Sequence, residues 1–324
     1  MCIIVFKKLD NKNYLAKNRD KSVSVNISII HEIVDNVEIV YLYDLDTCWI
    51  EGFNEFGIGF VHSTLVVDND EIIDNKEQLS IKVREMLKHN NIKEFIKQWI
   101  LITKNIESPN TSYNGHTLVS DTKNCIHIES FKNENPHEEN ILNHAVFTNH
   151  GIKLKNTGYN YGKKLISSLL RKDIVYNEIK NVKNKDEILP SLNKNYFKLN
   201  PEFHPYRNKK QTLSYWEQYE NWYALNTTGQ ILMCLSELTF ILNNDNDNCN
   251  FVKYDYRLPK NYNPKIKVII NKITKSNKLD EMPFDNSYIE KIYETYMFKK
   301  NTILFYCITL LLVLIIYIVF FDKL

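Results

Sequence analysis

Glycine is scarce in this chain, with eight in 324 residues. None falls in a Gly-x-Gly-x-x-Gly or Walker-type pattern, which excludes the usual backbone cradles for dinucleotide and nucleotide phosphates. Cysteine is sparse and scattered at Cys2, Cys48, Cys125, Cys234, Cys249 and Cys307. No pair is spaced Cys-x-x-Cys and no Cys/His group has zinc-ligand spacing, so the sequence implies no disulfide framework, no metal and no cofactor. Charge of one sign is also lacking. Lys and Arg total 41 against 39 Asp and Glu, a net +2, and the lysines are interleaved with Asn, Asp and Glu. Such a surface gives no electrostatic footprint for nucleic acid. The opening MCIIVFKK is too short an apolar run for a signal peptide.

Long apolar runs are absent too, with one exception. Ile303–Phe321 is uncharged throughout. A helix of that length spans the ~30 Å hydrocarbon core of a bilayer. Lys299 and Lys300 precede it and only Asp322-Lys323-Leu324 follow. The expectation is a single-pass C-terminal anchor, inserted after synthesis, with the main domain facing the cytosol.

Before that segment the chain reads as paired strands with a few helices. Ile3–Lys7 and Tyr14–Arg19 flank the turn residues Asp10 to Asn13, and Ile27–Glu32 and Glu38–Tyr43 flank Asp35-Asn36. Trp49–Phe53 and Ile58–Thr64 flank Asn54 to Gly57, and Thr117–Ser120 and Cys125–Ile128 flank Asp121 to Asn124. Ala145–Asn149 is a further strand. A hairpin is expected from Tyr219–Asn226 and Ile231–Leu238 about Thr227-Thr228-Gly229. Ser80–Thr103 has helical spacing, with Ile81, Met86 and Leu87, then Ile92, Phe95, Ile96 and Trp99, on apolar faces. Tyr159–Arg171 reads as a second helix. The segment 172–210 is polar and poorly periodic, as an insertion would be. The expected organisation is an α+β catalytic domain over 1–270, a linker with an amphipathic helix over 271–300, and the anchor over 301–324.

The chemistry is concentrated at the start. Once Met1 is removed, Cys2 carries a thiol and an α-amine on one residue. The thiol titrates near pH ~8.5 and the amine near ~7.7–8.0, so the amine can serve as base for its own thiol. The first hairpin returns Asn18-Arg19-Asp20 towards Cys2. Arg19 supplies positive charge for a thiolate, and Asp20 a carboxylate to orient the amine. His62, His116, His127 and His150 sit in strands or beside them and read as structural, because such a nucleophile needs no His base. The four tryptophans read as core or pocket-wall rings.

Four blocks, in order over Cys2 to Leu238, resemble the N-terminal-nucleophile hydrolases, the penicillin acyltransferase-like branch first and the choloylglycine hydrolases further away. They are MCIIVF with LAKNRD, WIEGFNEFGIGFVHSTL, GHTLVSDTKNCIHIES and VFTNHGIKLKNTGY. The start also resembles transport-and-Golgi-organization proteins with an Asn-Arg-Asp-Glu motif, with Lys21 in place of their Glu. The resemblance implies a four-layer αββα sandwich of antiparallel sheets. It implies that a linear amide is hydrolysed, or its acyl group transferred, through a Cys2 thioester. It further implies that Arg19 and Asp20 hold the thiol and amine, and that Asn149 is the oxyanion-hole side chain. The partner is then a small-molecule amide, a lipophilic one if the anchor is a guide. A downstream Arg is not placed by it; Arg207 is a candidate. The other branch of the resemblance implies a non-enzymatic membrane-associated protein that handles lipid or haem. The chain departs from the penicillin enzyme's pattern in having only Met1 before its Cys, and from the usual oxyanion Asn in having His62-Ser63 after Gly59.

Overall fold

The structure is a computed structural model that describes residues 2–21, 25–65, 76–104, 113–131, 134–154, 157–160, 162–193, 226–244, 249–272 and 291–292. Its first element pair is a tight hairpin, β1 (Cys2–Leu9) and β2 (Lys12–Lys21). The turn residues Asp10 and Asn11 have φ of 48° and 61°. Two consecutive left-handed residues twist a two-residue turn to match the strands, and Asp and Asn tolerate that conformation better than other non-glycine residues. The turn locks the register so that Cys2 lies opposite Arg19. A slip of one residue would turn every side chain of β2 to the wrong face. Asp35 and Asn36, at φ 48° and 65°, close β3 (Val25–Val34) on β4 (Val37–Asp44) in the same way. Between β5 (Trp49–Asn54) and β6 (Gly59–Thr64), Gly57 turns at φ 70°, where a Cβ would meet the Leu235 carbonyl at 2.7 Å.

The remaining elements are α1 (Lys76–Met86), α2 (Ile92–Lys104), β7 (Gly115–Ser120), β8 (Cys125–Ser130), β9 (His137–Ile141), β10 (His144–Phe147), α3 (Gly162–Asn181), α4 (Ile188–Ser191), β11 (Asn226–Cys234), β12 (Thr239–Asn244), β13 (Cys249–Tyr256) and β14 (Lys267–Lys272). They build one sheet of order β10-β1-β2-β11-β12-β14 and a second of order β13-β3-β4-β5-β6-β7-β8-β9. Both sheets are antiparallel except at one pair each, β12–β14 and β13–β3, which are parallel.

Alternation along the strands sorts the core into layers. Ile4, Phe6 and Leu15 of the first sheet pack with Val40, Phe53, Val61 and Leu118 of the second. Ile3, Val5, Tyr14 and Ala16 face the other way, onto Val175, Ile179 and Leu189 of α3 and α4. Tyr41, Ile50 and Phe60 of the second sheet cover Val83, Phe95 and Trp99 of α1 and α2. The layer order is therefore helix, sheet, sheet, helix. The same alternation puts the side chains of Cys2, Lys17 and Arg19 between the sheets and those of Asn18 and Asp20 towards α3 and α4.

Four local expectations come out differently. The helical span 80–103 is two helices, because Asn91 caps a new one by accepting the Lys93 N–H at 2.8 Å. Ile81, assigned to an apolar face, is 51% exposed. The helix expected to end at Arg171 runs on to Asn181, since Ile174, Val175 and Ile179 complete its buried face. Those residues open the stretch read as a polar insertion. Thr227-Thr228-Gly229 is no hairpin turn but a bulge within the continuous strand β11, which pairs along its length with β2. Long-range pairing with β2 overrides the local turn signal there. Residues 219–225, Arg207 and the segment 303–321 lie outside the described residues, as does most of 286–300. Among the described residues no helix is long and apolar enough to cross a membrane.

Candidate functional site

Cys2 opens β1 at the edge of the space between the sheets and is 9% exposed. Its backbone nitrogen donates to Asn149 Oδ1 at 2.9 Å, and its carbonyl accepts from Ser63 Oγ at 3.4 Å. Burial pushes the thiol up. Lys17 pulls it down, the Asp20 carboxylate opposes that pull, and an N–H from the Asp20 backbone adds to it. The thiol ends below its ordinary value. A thiol lowered in this way is a better nucleophile near neutral pH, because the thiolate is the reacting species.

The cations on β2 are held from the facing sheet. Lys17 Nζ donates to both oxygens of Glu51 on β5, at 2.8 and 2.7 Å, and lies 5.4 Å from the centre of the Trp49 ring. Arg19 donates through Nη2 to Asp44 on β4, while its Nε stands 3.8 Å from Glu51. All four side chains are buried. Burial alone would weaken the Arg19 charge, but Asp44 and Glu51 hold it above its ordinary value. Arg19 Nη1 is buried and has no hydrogen-bond partner among the described residues.

On the opposite face of the first sheet, Asp20 meets α3. Its carboxylate accepts from Arg171 Nη1 at 3.1 Å and from Thr227 Oγ1 at 2.8 Å. The β11 bulge allows the second bond, and Thr228 Oγ1 on it donates to the Arg19 carbonyl at 3.1 Å. Arg171 is fully buried and reaches Asn149 Oδ1 at 3.4 Å with Nη2. One turn earlier on α3, Ser168 Oγ accepts the Asn149 backbone N–H at 2.9 Å. Positions three apart on a helix share a face. A single stretch of α3 thus holds both Asp20 and Asn149, and Asn149 in turn accepts from the Cys2 nitrogen. Asn149 uses its amide nitrogen to donate to Thr64 O at 2.6 Å and Ser63 Oγ at 3.1 Å.

The histidines form scaffolding around this corner. His116 contacts the His150 carbonyl through Nε2 at 2.7 Å and His127 Nε2 through Nδ1 at 3.0 Å. His150 Nδ1 meets Ser168 Oγ at 2.9 Å and Thr148 Oγ1 at 3.1 Å. Burial pushes His127 down to about 2 and His150 down to about 3, so both are neutral hydrogen-bonding groups at physiological pH. The Glu129 carboxylate then accepts the N–H groups of Ile152, Lys153 and Leu154 at 2.8, 2.9 and 3.1 Å. That clasp fixes the turn leaving Asn149. No group of three or more His, Cys, Asp or Glu among the described residues could hold a metal ion.

Cys2, Arg19, Asp20 and Asn149, the four residues singled out from sequence, lie in one connected neighbourhood. Lys17, Asp44, Glu51, Ser63, Ser168 and Arg171 belong to it as well and were not singled out. Lys17 had a signal, since alternation places it on the face shared by Arg19. Arg171 had a weaker one, as an Arg at the end of an apolar helical pattern. The arrangement brings a depressed thiol, a fixed Cys2 backbone nitrogen and several N–H donors to one spot, equipment suited to acyl transfer once that nitrogen is a free amine.

No family model matches the chain, and no curated protein does. Among solved structures it is similar to a mutant conjugated bile acid hydrolase from Clostridium perfringens, with 15% identity and a TM-score of 0.45 over 82% of this chain and 100% of that one. It is also similar to penicillin V acylase from Agrobacterium tumefaciens, with 12% identity and a TM-score of 0.46 over 75% of this chain and 86% of that one.

Proposed function

We propose that the chain is a cysteine amidohydrolase or acyltransferase that acts on a linear amide once Met1 has been removed. The observation that carries this reading is the Cys2 nitrogen held by Asn149 Oδ1 at 2.9 Å beside a thiol lowered from its ordinary value. The thiol passes its proton to the α-amine. The thiolate attacks the amide carbonyl carbon, a C–S bond forms, and the carbonyl oxygen takes the negative charge. The resulting ammonium returns the proton to the leaving nitrogen as the C–N bond breaks, and an amine departs. Water, deprotonated by the same α-amine, then splits the thioester to give a carboxylic acid and the thiol. An amine or hydroxyl acceptor in place of water makes the second half an acyl transfer. Asp20, anchored by Arg171 and Thr227, keeps the end of β2 in place, where Arg19 pairs with Cys2 of β1.

In this reading Asn149 has two roles. Its Oδ1 positions the amine, and its Nδ2 stabilises the oxyanion by exchanging the longer of its two bonds, the 3.1 Å one to Ser63 Oγ, for the substrate oxygen. Losing one such donor is worth ~10²–10³ in rate. Asn149→Asp keeps an acceptor for the amine and loses the donor, so turnover should fall by about 10²-fold or more while iodoacetamide still labels Cys2. Turnover close to wild type in that variant removes Asn149 from the oxyanion site.

The direct test of the function is the intact mass of the purified protein before and after a panel of N-acyl amides. Loss of Met1 and a transient acyl adduct on Cys2 are expected together. Retained Met1 would refute the mechanism at once. We further propose that Ile303–Phe321 tethers the enzyme to a membrane with its main domain on the cytosolic side. A chain ending at Lys299 should then be soluble without detergent, whereas the full chain should resist alkaline extraction. Sedimentation of the shortened chain with membranes overturns the tether.

A further inference from the structure

We propose that Tyr254 is a second nucleophile of this chain, activated by Glu38 through His31, and that it takes up an acyl group from an activated acyl donor of the thioester class. The inference does not depend on Cys2. Three strands supply the set: Glu38 from β4, His31 from β3 and Tyr254 from β13, which is the edge strand of the second sheet. Along β4, Glu38 lies roughly 20 Å from Asp44 of the Cys2 neighbourhood, at ~3.3 Å per residue. His31 continues the alternation of Ile27 and Ile29, and Glu38 that of Val40 and Leu42, so both face the first sheet. Both are buried.

The hydrogen bonds fix which atom holds each proton. Glu38 Oε1 meets His31 Nε2 at 2.7 Å and accepts the Ile266 N–H at 2.8 Å, while Oε2 accepts the Lys265 N–H at 2.8 Å. Burial pushes the Glu38 carboxyl up, but those N–H groups and His31 more than offset it. An ionised carboxylate can only accept, so His31 carries its proton on Nε2. Its Nδ1 lone pair is then the acceptor for the Tyr254 hydroxyl, 2.6 Å away. Burial holds His31 below its ordinary value in spite of Glu38, which leaves it neutral and able to take a proton. A carboxylate that orients a histidine, and a histidine that accepts from a hydroxyl, together activate a weak nucleophile.

Tyr254 is 38% exposed whereas His31 is buried, so a reagent meets the phenol and not the base. Burial pushes the phenol up to about 12. It therefore keeps its proton until attack, as a serine hydroxyl does beside its base. The phenol oxygen then bonds to the acyl carbon while His31 Nδ1 takes the proton. His31 returns that proton to sulfur as the C–S bond breaks, leaving a tyrosyl ester and a thiol. A phosphoryl donor fits less well, because its oxygens need cations and those on β13 and the segment beside it are taken. Lys253 and Arg257 bond Asp255 at 2.9 and 2.7 Å, and Lys265 is paired with Glu55.

The test is acetylation of the full-length protein by N-acetylimidazole at neutral pH, read by peptide mass. Tyr176 and Tyr256, 41% and 47% exposed, serve as internal standards. Tyr254 should react about tenfold faster than either, part of the ~10²–10⁴ that a general base supplies. His31→Gln keeps a donor for Glu38 and cannot take a proton, so Tyr254 should then fall to the rate of the standards. If the three residues only staple the edge strand to its sheet, the sign reverses, because a phenol engaged in a hydrogen bond reacts more slowly than a solvated one. Tyr254 labelling no faster than Tyr176 and Tyr256 in the wild-type chain overturns the proposal, and that comparison needs no variant. An undiminished Tyr254 rate in folded His31→Gln overturns it as well.

Discussion

Cys2→Ala should eliminate amide cleavage, with a loss on the order of 10⁶-fold, as expected when the nucleophile leaves a preorganised site. The fold should survive. The β1–β2 register is set by the Asp10-Asn11 turn and by pairs running from Cys2 to Leu9, not by the thiol. A variant in which an uncleavable residue precedes Cys2 should be equally inactive, because an acylated nitrogen cannot take the thiol proton. The same chemistry predicts the order of alkylation. Burial pushes Cys125 well above its ordinary value and Cys234 up to about 12, so both remain thiols near neutrality. Cys2 should therefore label ahead of them in spite of its own burial. Turnover in the alanine variant, or labelling of Cys125 or Cys234 before Cys2, is incompatible with a Cys2 thioester and would favour a ligand-handling protein.

Arg171→Met should be the most damaging single change to stability. Arg171 and Asp20 are both fully buried and joined at 3.1 Å. Removing one member of a buried pair leaves an uncompensated charge, which costs about 3–5 kcal/mol. Denaturant unfolding should show that loss. Adding Asp20→Asn to Arg171→Met should recover much of the stability, since the orphaned charge disappears with its partner. Turnover should not recover, because Asn149 Oδ1 and Asp20 have then lost their shared donor on α3, even though Ser168 still holds the Asn149 backbone. A single variant of wild-type stability, or a double variant of wild-type activity, would show that α3 does not position the site.

Much of the fold is legible locally. Asp10-Asn11, Asp35-Asn36 and Asn54 to Gly57 announce their hairpins because left-handed turn positions admit few residue types. Alternation in Cys2–Phe6 and Leu15–Arg19 tells which side chains share a face. The bulge at Thr228 is not legible, since Thr-Thr-Gly reads as a turn until β2 is known to run beside it. Nor is the reach of α3 past Arg171. Its last buried residues, Ile174, Val175 and Ile179, are interrupted by Tyr176, Asn177 and Glu178, whose exposure depends on the sheet it lies against.

The site divides along the same line. Sequence by itself brought Arg19 and Asp20 back to Cys2, the proposed nucleophile, because a two-residue turn and the two-residue period of a strand are enough to do so. It also marked Asn149, through a block of recognisable neighbours. Only the tertiary structure decided how the charges are partnered: Lys17 with Glu51, Arg19 with Asp44, and Asp20 with Arg171. Those pairs join β2 to the facing sheet on one side and to α3 on the other, across separations of 34, 25 and 151 residues. No local rule of spacing reaches that far. A buried cation takes as partner whichever carboxylate the packing of layers brings within reach, and that choice exists only once the two sheets and the helix have closed on one another.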